Sequence, residues 1–304
     1  MSDLRNKIFK LRLKLLYLTN NIRYYFTDGV TVNVVSSKKY QNKIKDDLVL
    51  QKYLLKEGYR SKVVAWEDNE KADVNVIRSV WGYHNNLQSF ITFINENNTI
   101  NNKSLILENI SKRKQFELLG ANDVEKIDTL FVDNIMNYHY RGNRIVVKPV
   151  ISASGENTFY IDKAEDLSKV AHLNNIMIQP FLPGIGEGEI SVITINRNIR
   201  YAIKRFPGVF TEYKKPEYIS KFDINKDIVE NVRKLILIEE YKKAVIMRID
   251  FVKDNDGRYK VMEVEMVDPD LFIETIPDKK IKQEVYEELT HSVNKFLSVV
   301  DTEE

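Results

Sequence analysis

Residues 247–269 read MRIDFVKDNDGRYKVMEVEMVDP, and no other stretch narrows the possible folds of this chain as much. Charged and apolar residues alternate on both sides of Asp254, Asn255, Asp256 and Gly257, a run suited to a tight turn. The pattern predicts two antiparallel strands, over 245–252 and 258–267. Strand side chains alternate between faces, so Arg248 and Asp250 share one face of the first strand. Glu263 and Glu265 share a face of the second, while Ile249, Phe251, Met262, Val264 and Met266 take the opposite faces. An acidic surface above an apolar one follows. Carboxylates gathered this closely repel one another unless a cation compensates. Magnesium takes hard oxygen ligands, commonly one or two carboxylates plus phosphates, so Asp250, Glu263 and Glu265 are candidate metal ligands. On spacing alone, a solvated charged hairpin explains the run equally well. Calcium at the 254–257 turn is a weaker reading, because the full calcium-loop pattern is absent.

Composition removes several function classes. The 304 residues contain no cysteine, which excludes disulfides, thiolate nucleophiles, zinc–thiolate sites and iron–sulfur clusters and fits a cytoplasmic location. Hydrophobic residues at 43% and charged residues at 30% describe a folded protein with a sizeable core. A net charge of +2 supplies no field for nucleic acid. Apolar runs are broken by charge well short of a membrane span. Residues 1–30 form a basic helical extension: Arg5, Lys7, Lys10, Arg12 and Lys14 alternate with Ile8, Leu11, Leu15 and Leu18 at helical spacing. A helix packed on the body or used in homo-oligomer formation is favoured there over a peripheral membrane helix; a signal peptide lacks its apolar core and cleavage site.

The rest of the chain is expected to be α/β (α+β). Strands at 31–35, 61–66 and 73–78 and helices at 46–57 and 87–95 outline a small α/β domain over 31–105. The polar run NNTINNKS, 97–104, marks its edge, followed by a short strand at 105–107 and a helix at 111–119 capped by Ser111. A second lobe spans 106–182, with strands at 144–149 and 177–180 and a helix near 165–173. A third spans 183–304, with a hairpin formed by 189–195 and 200–206, helices at 225–240 and 280–296, and the acidic hairpin.

Several elements in these lobes suit a nucleotide, each ambiguous alone. Lys148 ends the apolar run VVKP; a buried lysine needs a partner such as a phosphate, whereas an exposed strand end needs none. Ser152, Ala153, Ser154 and Gly155 form a small-residue loop that can approach phosphates or be a surface turn. Gln179, Pro180, Phe181 and Leu182 offer an apolar slot with amide partners for adenine, or an ordinary strand exit. Glu187 and Glu189 flank Gly188, and Lys204 sits in a largely apolar strand.

In order and spacing, RSVWGY (78–83), ENISKRKQFELLG (108–120), VVKPVISASGENTF (146–159), IQPFLPGIGEGEIS (178–191), YAIKRFP (201–207) and the acidic hairpin resemble the ATP-grasp superfamily. The likeness is to glutathione synthetase-like and RimK-like carboxylate–amine ligases, and most to the cycloserine-forming cyclo-ligase branch. It covers roughly residues 31–300. It implies an ATP-grasp fold with an N-terminal pre-grasp domain and an ATP site between two α+β lobes. By this resemblance Lys112 or Lys114 is the first ATP-contacting lysine and Lys148 the second. Ser152, Ser154 and Gly155 close over the phosphates, Gln179 to Leu182 form the hinge beside adenine, and Glu189 lies near ribose. Lys204 lies near the γ-phosphate, Arg248 assists phosphoryl transfer, and Asp250 and Glu263 bind magnesium, with manganese as a substitute. Arg78, Ser79 and Tyr83 line the acceptor side. Two departures stand out: Glu265 replaces the asparagine ligand usual in the superfamily, and Thr211 stands where relatives often carry an arginine.

These features lead to an expected ADP-forming ligase joining a small-molecule or peptide carboxylate to an amine through an acyl phosphate. A kinase on the same scaffold and a non-catalytic interaction protein are the rivals. His84, His139 and His172 are too scattered to form a relay.

Overall fold

The computed structural model describes residues 2–152, 157–207 and 214–300. The chain divides into two compact units, one of residues 1–106, 244–246 and 267–304, the other of 107–243 and 247–266.

The first unit begins with helix α1 (Ser2–Tyr25) and continues through β1 (Thr31–Ser36), α2 (Lys45–Lys56), β2 (Arg60–Ala65), β3 (Val74–Ser79), α3 (Leu87–Glu96) and β4 (Thr99–Ile100). Its four strands pair in the order β2-β1-β3-β4, all parallel. Val32, Val34, Val35, Val74, Val76 and Ile77 are buried, as expected of parallel strands covered on both faces. Two expectations fail at the edge of this sheet. The polar run 97–104 contains β4, because Asn75 N–H donates to Asn98 O and draws the segment alongside β3. The strand expected at 105–107 is instead part of helix α4 (Lys103–Asn109). Leu105 and Ile106 are buried from that helix, and so short an apolar run carries no period to tell the two apart.

The second unit holds α5 (Lys112–Ala121), then β5 (Leu130–Asn134), β6 (Ile145–Pro149), β7 (Phe159–Ile161) and β8 (Asn174–Pro180). These strands form an antiparallel sheet in the order β5-β8-β6-β7 over a core of Ile135, Ile145, Val147, Ile161, Val170 and Ile176. Ser111 occupies the cap position of α5 without a side-chain cap bond, and the expected helix near 165–173 is a 3-10 segment, Ala164–Val170. There follow β9 (Glu189–Ile195), β10 (Asn198–Arg205), β11 (Glu217–Ser220), α6 (Lys226–Ile236), β12 (Ile246–Lys253) and β13 (Tyr259–Glu265). They build a five-stranded sheet in the order β11-β10-β9-β12-β13. Asn196 and Arg197 turn β9 into β10 with φ of 49° and 64°, the left-handed pair that a tight hairpin turn needs.

β13 is an edge strand, and its outer backbone is satisfied from elsewhere in the unit. Val261 N donates to Glu125 O (2.8 Å), Ile127 N donates to Val261 O (3.0 Å), and Asn109 Nδ2 donates to Val264 O (2.9 Å). These bonds cover an edge that would otherwise invite pairing with another chain, and they fix the strand carrying Glu263 and Glu265. The last helix, α7 (Lys279–Val300), belongs to the first unit, where Tyr286 stacks on Tyr53 of α2 at 5.3 Å and donates to Asp46 Oδ1 at 2.9 Å. The expected third lobe, 183–304, is therefore split, with its closing helix in the first unit.

Gly184 shows how closely the second unit is packed. A Cβ there would run into the backbone carbonyl of Lys253 and lie 3.0 Å from its Cβ. Gly184→Ala is expected to lower stability by about 1–3 kcal/mol through overpacking, read as a lower urea midpoint at unchanged m-value.

Candidate functional site

The β12–β13 register sets the centre of the site. Arg248 lies opposite Glu265 and Asp250 opposite Glu263, and the register then shifts by one, so that Phe251 pairs with Val261. Counted back from the turn without that bulge, Asp250 would face Met262. The extra residue instead keeps the carboxylates on one face, as bulges near functional sites often re-aim side chains. Arg248 is buried; its Nε donates to Asp250 Oδ1 at 3.0 Å and its Nη2 to Asp250 Oδ2 at 3.0 Å, and it also pairs with Glu265. Burial would raise the pKa of Asp250, but the Arg205 and Arg248 guanidiniums outweigh it and hold the group near about 2. Burial acts against the charge on Arg248 too, yet Asp250 and Glu265 keep its pKa well above the usual arginine value.

Arg205 was not singled out from the sequence. Its Nη2 lies 2.8 Å from both Asp250 Oδ2 and Glu189 Oε2, and its Nε donates to Ser191 Oγ at 2.7 Å. Ser191 Oγ donates in turn to Asp250 Oδ1 at 2.7 Å. The neighbour of Arg205 on β10, Lys204, is the lysine expected near the γ-phosphate. A register shift between Ile199 and Tyr201 sets Arg205, not Lys204, opposite Glu189. A one-residue slip moves every later side chain to the other face. Lys204 thus pairs with Ile190, and its Nζ lies 5.3 Å from the centre of the Phe206 ring. Gly188, at φ +110°, lets the chain pass this point: a Cβ would sit 2.9 Å from Lys204 Cε and 3.0 Å from Arg205 O. Burial raises the pKa of Glu189, against the pull of Arg205.

The first half of the second unit supplies lysines. Lys112 is buried, and its Nζ donates to Ser152 O at 2.7 Å and lies 2.8 Å from Glu263 Oε1. Lys114, two positions along the same helix, faces away and lines a cavity with Glu108, Glu240 and Tyr241. The geometry therefore separates the two lysines the sequence left as alternatives. Lys148 is pulled below the usual lysine range by burial, with Glu263 opposing and Lys112 reinforcing the shift. Burial would raise Glu263, but Lys112 and Lys148 together bring it below the usual carboxylate range. Ser152 is buried, with its Oγ 3.3 Å from Pro149 O; Ser154 and Gly155 lie outside the described residues, as does Thr211. At the strand exit, Gln179 Nε2 donates to Thr129 Oγ1 (2.9 Å) and Phe181 N–H to Arg144 O (3.0 Å). The Arg144 guanidinium lies 4.2 Å from the Phe181 ring centre, which holds that ring; Pro180 is exposed and Leu182 half-buried.

The acceptor residues named from the sequence lie in the first unit and have structural partners there. Arg78 is buried, with Nη1 3.3 Å from Pro269 O. Ser79 Oγ lies 2.7 Å from Ser36 Oγ and also donates to Asp47. Tyr83 is buried, its ring 4.7 Å from that of Phe90, so it serves the core. Burial pushes Asp46 up to about 6 and Asp47 up to about 7, and Arg78 counters only part of the shift.

Among the described residues no three His, Cys, Asp or Glu side chains are arranged as a metal cage. Glu265, the third carboxylate expected as a magnesium ligand, is paired with Arg248. Asp250 and Glu263, opposite one another and both kept ionised, fit an ion that takes two carboxylates and draws its other ligands from phosphate.

Comparison with known proteins bears on the fold. A family model described as D-cycloserine synthetase DcsG, N-terminal domain, matches residues 32–102, and one described as prokaryotic glutathione synthetase, ATP-grasp domain, matches residues 125–212. No curated protein sequence matches the chain significantly. The crystal structure of D-cycloserine synthetase DcsG superposes with TM-score 0.71 at 18% identity, covering 86% of this chain and 99% of that one. D-alanine–D-alanine ligase from Bacillus anthracis, solved with ATP, gives 0.61 at 14% identity, covering 91% and 100%. The ATP-grasp ligase PsnB, solved with a precursor peptide and AMPPNP, gives 0.57 at 15% identity, covering 88% and 97%. At these identities the structural likeness establishes the fold.

The buried acid of the first unit carries a pH prediction. Asp47 has a folded pKa of about 7, above its unfolded value, so between about pH 4 and 7 the folded state keeps a proton that the unfolded state has lost. Stability should fall as pH rises through that window and level off above it. Asp47→Asn should remove on the order of 3 kcal/mol of this decline, measured by urea unfolding at pH 5 and pH 8.

Proposed function

We propose that the chain, which has the ATP-grasp fold, is an ADP-forming carboxylate–amine ligase using ATP with magnesium. The observation that carries the reading is the interleaving of Lys112, Lys148, Arg205 and Arg248 with Glu189, Asp250, Glu263 and Glu265 in one unit. Without nucleotide these groups neutralise one another. A metal-bound triphosphate brings both signs of charge, so it can exchange partners with the cluster without leaving a buried ion unanswered.

In this reading Lys112 and Lys148 hold phosphate oxygens, and the backbone at Ser152, tied to Lys112, anchors the start of the phosphate loop. Gln179 to Leu182 receive adenine beside the ring of Phe181, and Glu189 takes the ribose. Arg205 and Arg248 offset charge on the phosphoryl group in transfer. Asp250 and Glu263 would hold a magnesium ion, which when bound would offset charge developing on the phosphates. The substrate carboxylate attacks the γ-phosphorus, ADP leaves, and the resulting acyl phosphate is attacked at carbon by an amine with release of phosphate. The chain's cations and exclusion of water protect that intermediate from hydrolysis.

ADP release assayed over panels of carboxylates with and without amines is the direct test. Amide product that needs both substrates supports ligation; a stable phosphorylated product formed without amine would show a kinase instead. Two mutational outcomes are expected. Lys112→Met should lower kcat/KM at least about 100-fold, while Lys114→Met stays within about threefold of the unaltered chain. Glu263→Gln should lower kcat about 100-fold or more and raise the magnesium concentration needed for half-maximal rate; unchanged turnover would remove Glu263 from the site.

A further inference from the structure

Helix α1 carries two apolar faces, only one of which is used by the fold. Leu13, Leu16, Tyr17 and Tyr24 are half-buried and Asn20 is fully buried, with Asn20 Nδ2 donating to Leu48 O (2.8 Å) and Gln51 Oε1 (2.9 Å) on α2. On the other side lie Leu4, Ile8, Leu11, Leu15, Leu18 and Ile22, each between 44% and 68% exposed. They follow one another at alternating steps of four and three residues. At 3.6 residues per turn they fall within an arc of about 80°. A stripe this narrow, repeating every 3.5 residues over almost three heptads, is a coiled-coil seam.

The flanks of the seam are basic. Lys7, Lys10 and Lys14 lie along one side and Arg12 and Arg23 along the other, and residues 4–25 include no aspartate or glutamate. A second copy of the chain answers this charge poorly. Parallel pairing sets Lys7 of one copy against Arg12 of the other, and antiparallel pairing sets Arg12 and Lys14 each against itself. A lipid surface asks for a broad apolar face, but the wheel beyond this arc is occupied by the basic flanks and by the side packed on α2.

We propose that α1 is a docking helix for an acidic amphipathic helix of another polypeptide. The partner lays its own apolar heptad stripe along Leu4, Ile8, Leu11, Leu15, Leu18 and Ile22 and sets aspartate or glutamate flanks against Lys7, Lys10, Arg12 and Lys14. The proposal is independent of the chemistry assigned to the second unit, and its test leaves that chemistry untouched.

The probe is a fluorescein-labelled synthetic peptide of about four heptads, leucine at a and d and glutamate at e and g, titrated with the full chain and followed by anisotropy. Saturable binding is expected, weakened about tenfold or more between about 0.1 M and 0.5 M salt, and absent for a matched peptide with lysine at e and g. Leu11→Asp combined with Leu15→Asp should weaken binding at least about tenfold while leaving the melting temperature and Mg-ATP binding unchanged, since both side chains face outward. Equal binding by the double variant and the unaltered chain overturns the proposal. A chain that sediments as a dimer and becomes monomeric in the double variant also overturns it, because the seam then belongs to a second copy. Binding to anionic phosphatidylglycerol vesicles in place of the acidic peptide overturns it in favour of a membrane surface.

Discussion

The ion pair between Arg248 and Asp250 is the interaction around which the second unit is built. Both groups are buried, and a lone buried ion costs several kcal/mol, so neither is tolerable without the other. Asp250 has two oxygens to satisfy, and Arg248 cannot neutralise Glu265 and Asp250 together. The arrangement extends until the charges balance: Arg205 and Ser191 complete Asp250, Glu189 shares Arg205, and Lys112 answers Glu263. Positions on β9, β10, β12, β13 and α5 are therefore coupled by electrostatics as well as by the backbone ladder. In such a lattice each buried charge is answered by one of opposite sign.

The apolar framework holds these groups still. The buried strand pairs under the charged face leave little freedom of register, and the outer edge of β13 is fastened by Glu125, Ile127 and Asn109. Two glycines mark places where no side chain fits. Gly184 lies against the Lys253 carbonyl and Gly188 against Lys204 and Arg205, so the segment between Leu182 and β9 follows a single close path. The first unit solves a different problem. Its parallel sheet brings Ser36, Ser79 and Asp47 together, and burial pushes the Asp47 carboxyl up to about 7 against the pull of Arg78.

Much of this was legible in the chain. The acidic hairpin, the α/β character of the first domain and the lysine strand all follow from period-two runs, turn residues and their order, because alternation and turn chemistry are local properties. The errors have local explanations too. Thr99 and Ile100 are too short a run to read as a strand, and Leu105 to Leu107 is too short to distinguish strand from helix. Tyr83, expected on the acceptor side by resemblance, packs its ring beside Phe90.

What the sequence determined by itself was the set of charged residues and the faces they could share along each strand: Arg248 with Asp250, Glu263 with Glu265. What only the tertiary structure decided was which of them meet across strands. Two bulges, at Asp250/Phe251 and at Ile199/Tyr201, each add one residue to one strand of a pair. The first sets Glu263 opposite Asp250; the second sets Arg205 opposite Glu189. A bulge is chosen by packing on both faces of the sheet at once, and that balance is not written in either strand alone.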